Sequence, residues 1–325
     1  MKETFIFGNG LGRAIDNDFY SLERVLRESW DKPSLLDQTD KELICRCLDR
    51  GLIEGKLEAP TSEDQLSDLQ KVLTACDTIS NFERADDLDV GWLTDHGKRF
   101  PIAIRRYFHD AASSFHNPDM KLPTKFADRL RKFVVDEHAN IMTLNYDDLL
   151  YECFSETEVF RKHLLRDGFF REFDLETHIL MKTSKEGWFL HLHGSPLFAN
   201  RDGTARKITR AELGSHKGSD SGHLVLTNAD SKPSVIVASE VLNAYWEMLN
   251  RELRKESKVT LFGYGGGDKH LNRILQNSEG LTRLRIVCRS GETNNQLHWQ
   301  SVFSKIEPSK IEVVELENIL DFDFS

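Results

Sequence analysis

No Cys-x-x-Cys pair occurs in this sequence, and its five cysteines (Cys45, Cys47, Cys76, Cys153 and Cys288) are too few, and odd in number, for a disulfide framework. Reduced thiols in a cytoplasmic protein are the expectation, with no structural zinc. Positive charge is also lacking. The 43 Lys and Arg against 53 Asp and Glu leave a net charge of -10, so no broad basic field holds a phosphate backbone and direct nucleic-acid binding is not expected, a local basic patch aside. No run of about 18 apolar residues is present and no signal peptide opens the chain, so neither a membrane span nor secretion is expected. Internal repeats and low-complexity tracts are absent as well.

What is present fits a globular α/β protein: 325 residues, 39% hydrophobic and 30% charged, enough for one large domain or two smaller ones. The chain begins with FIFGNGLGRAID, residues 5 to 16. Thr4 to Phe7 is short, apolar and unbroken, as a strand buried on both faces requires. Glycines directly after such a strand permit a tight turn and close approach of a ligand, and the helix that follows offers free N–H groups to a phosphate.

Further strand-type runs are NIMTLNY (140 to 146), GWFLHLHGS (187 to 195), SVIVAS (234 to 239), KVTLFGY (258 to 264), LRIVCRS (284 to 290) and IEVVEL (311 to 316). Helical patterns separate several of them, notably residues 239 to 256 and 268 to 277. Strands alternating with helices predict a doubly wound, mostly parallel Rossmann-like sheet. Residues 18–137 are polar and helical, with clear amphipathic patterns at 61 to 82 and 123 to 137, and are too long for one crossover. The expected organisation is a nucleotide-binding domain from residues 1–17 and 138–325 with residues 18–137 as an inserted helical lobe. The glycine-rich stretch 201 to 223 reads as a mobile loop, either a lid or a surface insertion.

In open sheets of this kind, ligands bind beyond the carboxyl ends of the strands. Four strands here end in residues suited to chemistry: Gly8-Asn9-Gly10-Leu11-Gly12 with Arg13, Asn145-Tyr146-Asp147, His191-Leu192-His193-Gly194, and Gly263-Tyr264-Gly265 leading to Asp268. Each has a plainer reading. Asn145 suits a turn cap, His191 and His193 suit a metal pair or packing, Asp268 suits a helix N-cap, and Arg13 suits a surface helix.

Taken in order, the four motifs resemble the signature of the sirtuin-like NAD-binding fold, in particular the bacterial NAD-cleaving branch used in anti-phage defence. The first turn departs from the widespread Gly-x-Gly-x-x-Gly fingerprint, since Arg13 stands in its last position. The resemblance implies that Gly8, Asn9, Gly10, Gly12 and Arg13 face the pyrophosphate side of NAD, that Asn145 positions water, and that Asp147 holds the nicotinamide carboxamide. It further implies that His193 contacts the ribose and accepts a proton, with Gly263, Gly265 and Asp268 on the adenosine side. Deacylating sirtuins carry a paired Cys-x-x-Cys ribbon. This chain has none, and between Asn145 and His193 it carries an unrelated insertion including 154 to 174. Water therefore becomes the expected acceptor. The activity implied is an NAD+ glycohydrolase acting in abortive infection, with NAD+ as substrate and no metal. Because strands extend almost to residue 325, control in trans is expected, through a homo-oligomer and a HerA-type ATPase, with a short Argonaute as the alternative partner. A noncatalytic NAD or ADP-ribose module and a zinc-independent transferase are the rival functions.

Overall fold

The computed structural model describes residues 2–48, 57–86, 95–155, 164–214, 222–227, 231–291 and 295–324. Seven strands form one sheet: β1 (Lys2–Phe7), β2 (Asn140–Thr143), β3 (Leu165–Arg166), β4 (Gly187–His191), β7 (Ser257–Phe262), β8 (Leu281–Arg289) and β9 (Ile311–Leu316). Their order is β3-β4-β2-β1-β7-β8-β9, and every neighbouring pair is parallel. The sequence expectation of a doubly wound α/β sheet is met.

The inner strands β2, β1, β4 and β7 are largely buried along their apolar runs because both faces are covered, while the edge strand β9 exposes Glu312 and Glu315. Register aligns Leu190, Met142, Ile6, Leu261 and Ile286 across five strands. These side chains pack with the helices Lys232–Ala238, Glu240–Leu253, Lys269–Gln276 and Gln296–Val302. The opposite face carries Phe5, Phe7, Ile141, Phe189, Phe262 and Val287. It is covered by helices from between β1 and β2, including Leu22–Asp31, Glu63–Asp86, Asp95–Ser113 and Thr124–Glu137, whose buried residues join the same apolar cluster.

Two expectations are corrected. Residues 234 to 239 are not a strand: they fall largely in the helix Lys232–Ala238, where Pro233 occupies the first turn. Proline there removes only an N–H that has no helical partner anyway. Nor is 201 to 214 a featureless loop. Strands β5 (Phe198–Arg201) and β6 (Thr204–Lys207) pair as an antiparallel hairpin. Its turn places Asp202 and Gly203 at φ 54° and 82°, which Asp-Gly adopts readily. A short helix, Arg210–Leu213, follows behind a Thr209/Glu212 capping box. The remainder of that stretch, 215–221, and most of 154 to 163 lie outside the described residues. Among the described residues, no helix is long and apolar enough to cross a membrane.

Candidate active site

The chain runs outward from β1 to β2 and β4 on one side, then resumes with β7 on the other side of β1. The reversal opens a crevice at the carboxyl ends of these strands. Across it two glycine turns lie back to back. Gly8 N–H donates to Phe262 O at 2.9 Å and Gly10 N–H to Gly263 O at 2.8 Å. A Cβ on Gly10 would stand 2.6 Å from Gly263 O, and Gly263 itself has φ +60°, so this seam is made of main chain that only glycine permits. Asn9 is tied to the next turn by its Nδ2, which donates to Tyr20 O at 3.1 Å.

Asn145 follows β2, and its backbone N–H is fixed by Thr143 Oγ1 at 3.0 Å. Its Nδ2 donates to Gly8 O at 3.1 Å. A carbonyl accepts only, so this bond sets the amide orientation. The other amide atom, Oδ1, is buried without a hydrogen-bond partner. An acceptor is thus held in place and left unused.

His193 follows β4. The strand end is pinned by Leu192 N–H donating to Thr143 O at 2.8 Å and by Trp246 Nε1 donating to Leu192 O, also at 2.8 Å. Gly194, at φ +81°, lies so close to His223 O that an added Cβ would be 1.7 Å from it. Asp268 follows β7 and caps the helix Lys269–Gln276: one carboxylate oxygen accepts from His270 N–H and Leu271 N–H at 2.9 and 3.0 Å. Its second oxygen accepts from His193 Nε2 at 2.8 Å and from Lys232 Nζ at 3.1 Å. Lys232 also lies 3.7 Å from Glu63 Oε2. Ser231 meets Ser67 in a buried 2.7 Å hydrogen bond, so the helix Glu63–Asp86 is docked beside the lysine.

These charges are perturbed. Burial pushes the Asp268 carboxyl up, but the hydrogen bond and charge of His193 and the charge of Lys232 outweigh it and hold it well below the usual carboxylate range. Asp147 behaves oppositely. Burial, opposed by the hydrogen bond from Leu149 N–H and reinforced by Asp148, pushes its carboxyl up to about 7.

Gly8, Asn9, Asn145, Asp147, His193, Gly265 and Asp268 line one cavity of about 260 Å³. Asn9, Gly10, Arg13, Gly263 and Gly265 line a second of about 570 Å³, beside Cys288 and Arg289 at the end of β8. Asn9, Tyr264 and Gly265 belong to both, so the two adjoin. Arg13 is exposed, with Nε on Asn17 Oδ1 at 2.7 Å. Gly12 lines neither cavity: a Cβ there would lie 2.6 Å from the Tyr20 ring, so it serves packing of the turn. His191 is buried among Phe189 and Phe198. No group of three or more metal-ligating side chains occurs among the described residues.

The sequence reading omits Lys232 and Glu63, both of which line the inner cavity. Lys232 precedes Pro233 at a helix start, a local signal that the neighbouring β-branched residues mask. Glu63 has no motif around it and arrives only by docking of its helix.

Residues 139–287 match the family model described as SIR2-like domain. The matched segment contains Asn145, Asp147, His193, Lys232, Gly263, Gly265 and Asp268, while the Gly8–Arg13 turn precedes it. The chain therefore carries a SIR2-like domain over this segment. No curated protein matches the chain.

Proposed function

We propose, from the SIR2-like domain and its cavities, that the chain is an NAD+ glycohydrolase that releases nicotinamide and ADP-ribose. The observation that carries this reading is the meeting of Asn145, Asp147, His193 and Asp268 in one cavity that adjoins the glycine-turn groove. The groove suits the pyrophosphate and adenosine, and the inner cavity suits the nicotinamide ribose.

Cleavage breaks the bond between ribose C1′ and the pyridinium nitrogen. The electron pair stays on nitrogen, so nicotinamide departs neutral and needs no acid. The ribose gains oxocarbenium character in the transition state, as in other glycosidic cleavages. The carboxyls of Glu63 and Asp268 face the cavity against one ammonium, Lys232, and that excess, increased by the ionised share of Asp147, favours a developing cation. The free Oδ1 of Asn145 accepts a hydrogen bond from the attacking water and orients its lone pair. As water adds to C1′, its proton passes to Nδ1 of His193 in its neutral form, whose Nε2–H Asp268 holds, and the imidazolium so formed is stabilised by that carboxylate. Asp147, poised near neutrality, is able both to donate to a carboxamide oxygen and to accept from a carboxamide N–H₂.

We place this activity in anti-phage abortive infection, with a homo-oligomer and a HerA-type ATPase as the controlling partners, on the motif resemblance. The test is chromatographic detection of nicotinamide after incubation with NAD+. Asn145→Ala is expected to lower the rate about 100-fold or more, and His193→Ala about 100-fold to 10,000-fold. Calorimetric NAD+ binding without release, by the chain alone and with its partner, would reassign it as a noncatalytic binding module.

A further inference from the structure

A third cavity, of about 1090 Å³, lies between the helix Asp95–Ser113 and the segment 210–214. Its formally charged lining is Lys32, Arg106 and Arg210 against Asp110. A cavity of about 440 Å³ continues it past the shared residues Leu35 and Arg106, and adds Lys98 and Arg99 against Asp40. On the lining itself cations outnumber carboxylates, in a chain of net charge -10.

Most of these are already engaged. Lys32 holds Asp110 at 2.6 Å, Arg99 holds Asp40 at 3.0 Å, and Arg210 pairs with Asp148 and with Glu152. Arg106 differs: it joins no ion pair among the described residues, and its Nε is buried without a hydrogen-bond partner. The buried Nε is out of reach of a ligand, but the charge of this half-buried guanidinium is offset by no paired carboxylate among the described residues, and Arg106 lines both cavities. Its planar fork is complementary to the oxygens of a phosphate, which it binds bidentately.

The groove also has a defined place relative to the candidate active site. The turn that ends the helix Asp95–Ser113 separates them: Ser113, Ser114 and His116 face the groove, while Phe115 faces the inner cavity. Phe115 stacks on Tyr146 at 6.0 Å, and His116 Nε2 lies 2.8 Å from Tyr146 O. On its other side His116 Nδ1 is 3.6 Å from Asp148 Oδ2, the carboxylate that Arg210 holds.

We propose that this groove is a second ligand site, for a small molecule bearing two or more phosphate groups, with Arg106 as its main anchor and Arg210 as its second cation. The inference stands apart from the glycohydrolase reading and is tested without it. The full chain is titrated calorimetrically with inorganic tripolyphosphate at low ionic strength, as wild type, Arg106→Gln and Arg106→Lys, each with and without Arg13→Gln. Saturable binding is expected that Arg106→Gln weakens about tenfold or more and Arg106→Lys less, in the wild-type background and equally in the Arg13→Gln background, where anion binding to the glycine-turn groove is removed. Absence of saturable binding, or binding indifferent to Arg106→Gln, overturns the proposal. Loss in Arg13→Gln instead assigns the anion to the glycine-turn groove. In a second arm, a short single-stranded oligonucleotide that binds more tightly than tripolyphosphate with the same dependence on Arg106 overturns the small-molecule assignment in favour of nucleic acid.

Discussion

Asn145 and Asp147 stand two residues apart and are prepared in opposite ways. The amide is fixed by a hydrogen bond to Gly8 O and leaves one acceptor free. The carboxyl is desolvated until its proton is shared with solvent near neutrality. The second has a thermodynamic consequence. In the unfolded chain Asp147 titrates near its ordinary value of 3.8, and in the folded chain near 7. Between those values the folded state binds more protons than the unfolded one, so this group makes stability fall as pH rises, by about 1.4 kcal/mol per pH unit within the window, and the loss levels off above it. Melting midpoints at pH 5 and 8 should therefore differ more in the wild type than in Asp147→Asn. Equal differences in the two proteins would show that Asp147 is not the group responsible.

Among elements, the strand ends hold the candidate site together. Gly10 and Gly263 touch through main chain alone, so Gly10→Ala is expected to cost about 1–3 kcal/mol and to abolish calorimetric NAD+ binding while the far-ultraviolet circular dichroism stays unchanged. Binding that survives would show that the seam opens without harm to the groove. The inner strands were legible because burial on both faces leaves a short, largely apolar run, as in β1, β2, β4 and β7, whereas β8 and the edge strand β9 keep an apolar core interrupted by Arg285 and by the exposed Glu312 and Glu315. β3 was not, since Leu165–Arg166 is too short to show any period. The run at 234 to 239 misled for the reason that a short apolar stretch looks alike in a buried helix and a buried strand. Only Pro233 distinguished them. In the site, the motif residues at four strand ends were legible by type and order, and the structure gathers Asn145, Asp147, His193 and Asp268 around one cavity. Lys232 and Glu63 were not, because their placement depends on helix docking far away in sequence.

At the scale of the whole molecule, the helices between β1 and β2 share one apolar cluster with the sheet: Leu66, Leu69, Ile104, Tyr107 and Leu130 belong with Phe5, Phe7 and Phe262. A segment that shares its core with the sheet has no independent surface on which to melt. Scanning calorimetry is expected to give one cooperative transition, and Leu69→Ala, in the helical segment, should lower its midpoint as a whole, at a cost of about 2–5 kcal/mol. Two separated transitions, with only one shifted by the substitution, would show that the helices fold on their own.

The turn after Ser113 acquires a particular meaning in that setting. It is a partition one backbone thick, with Phe115 on one side and His116 on the other. Whatever binds against the helix Asp95–Ser113 therefore sits one turn of chain from Tyr146, through the Phe115 ring and the His116 hydrogen bond.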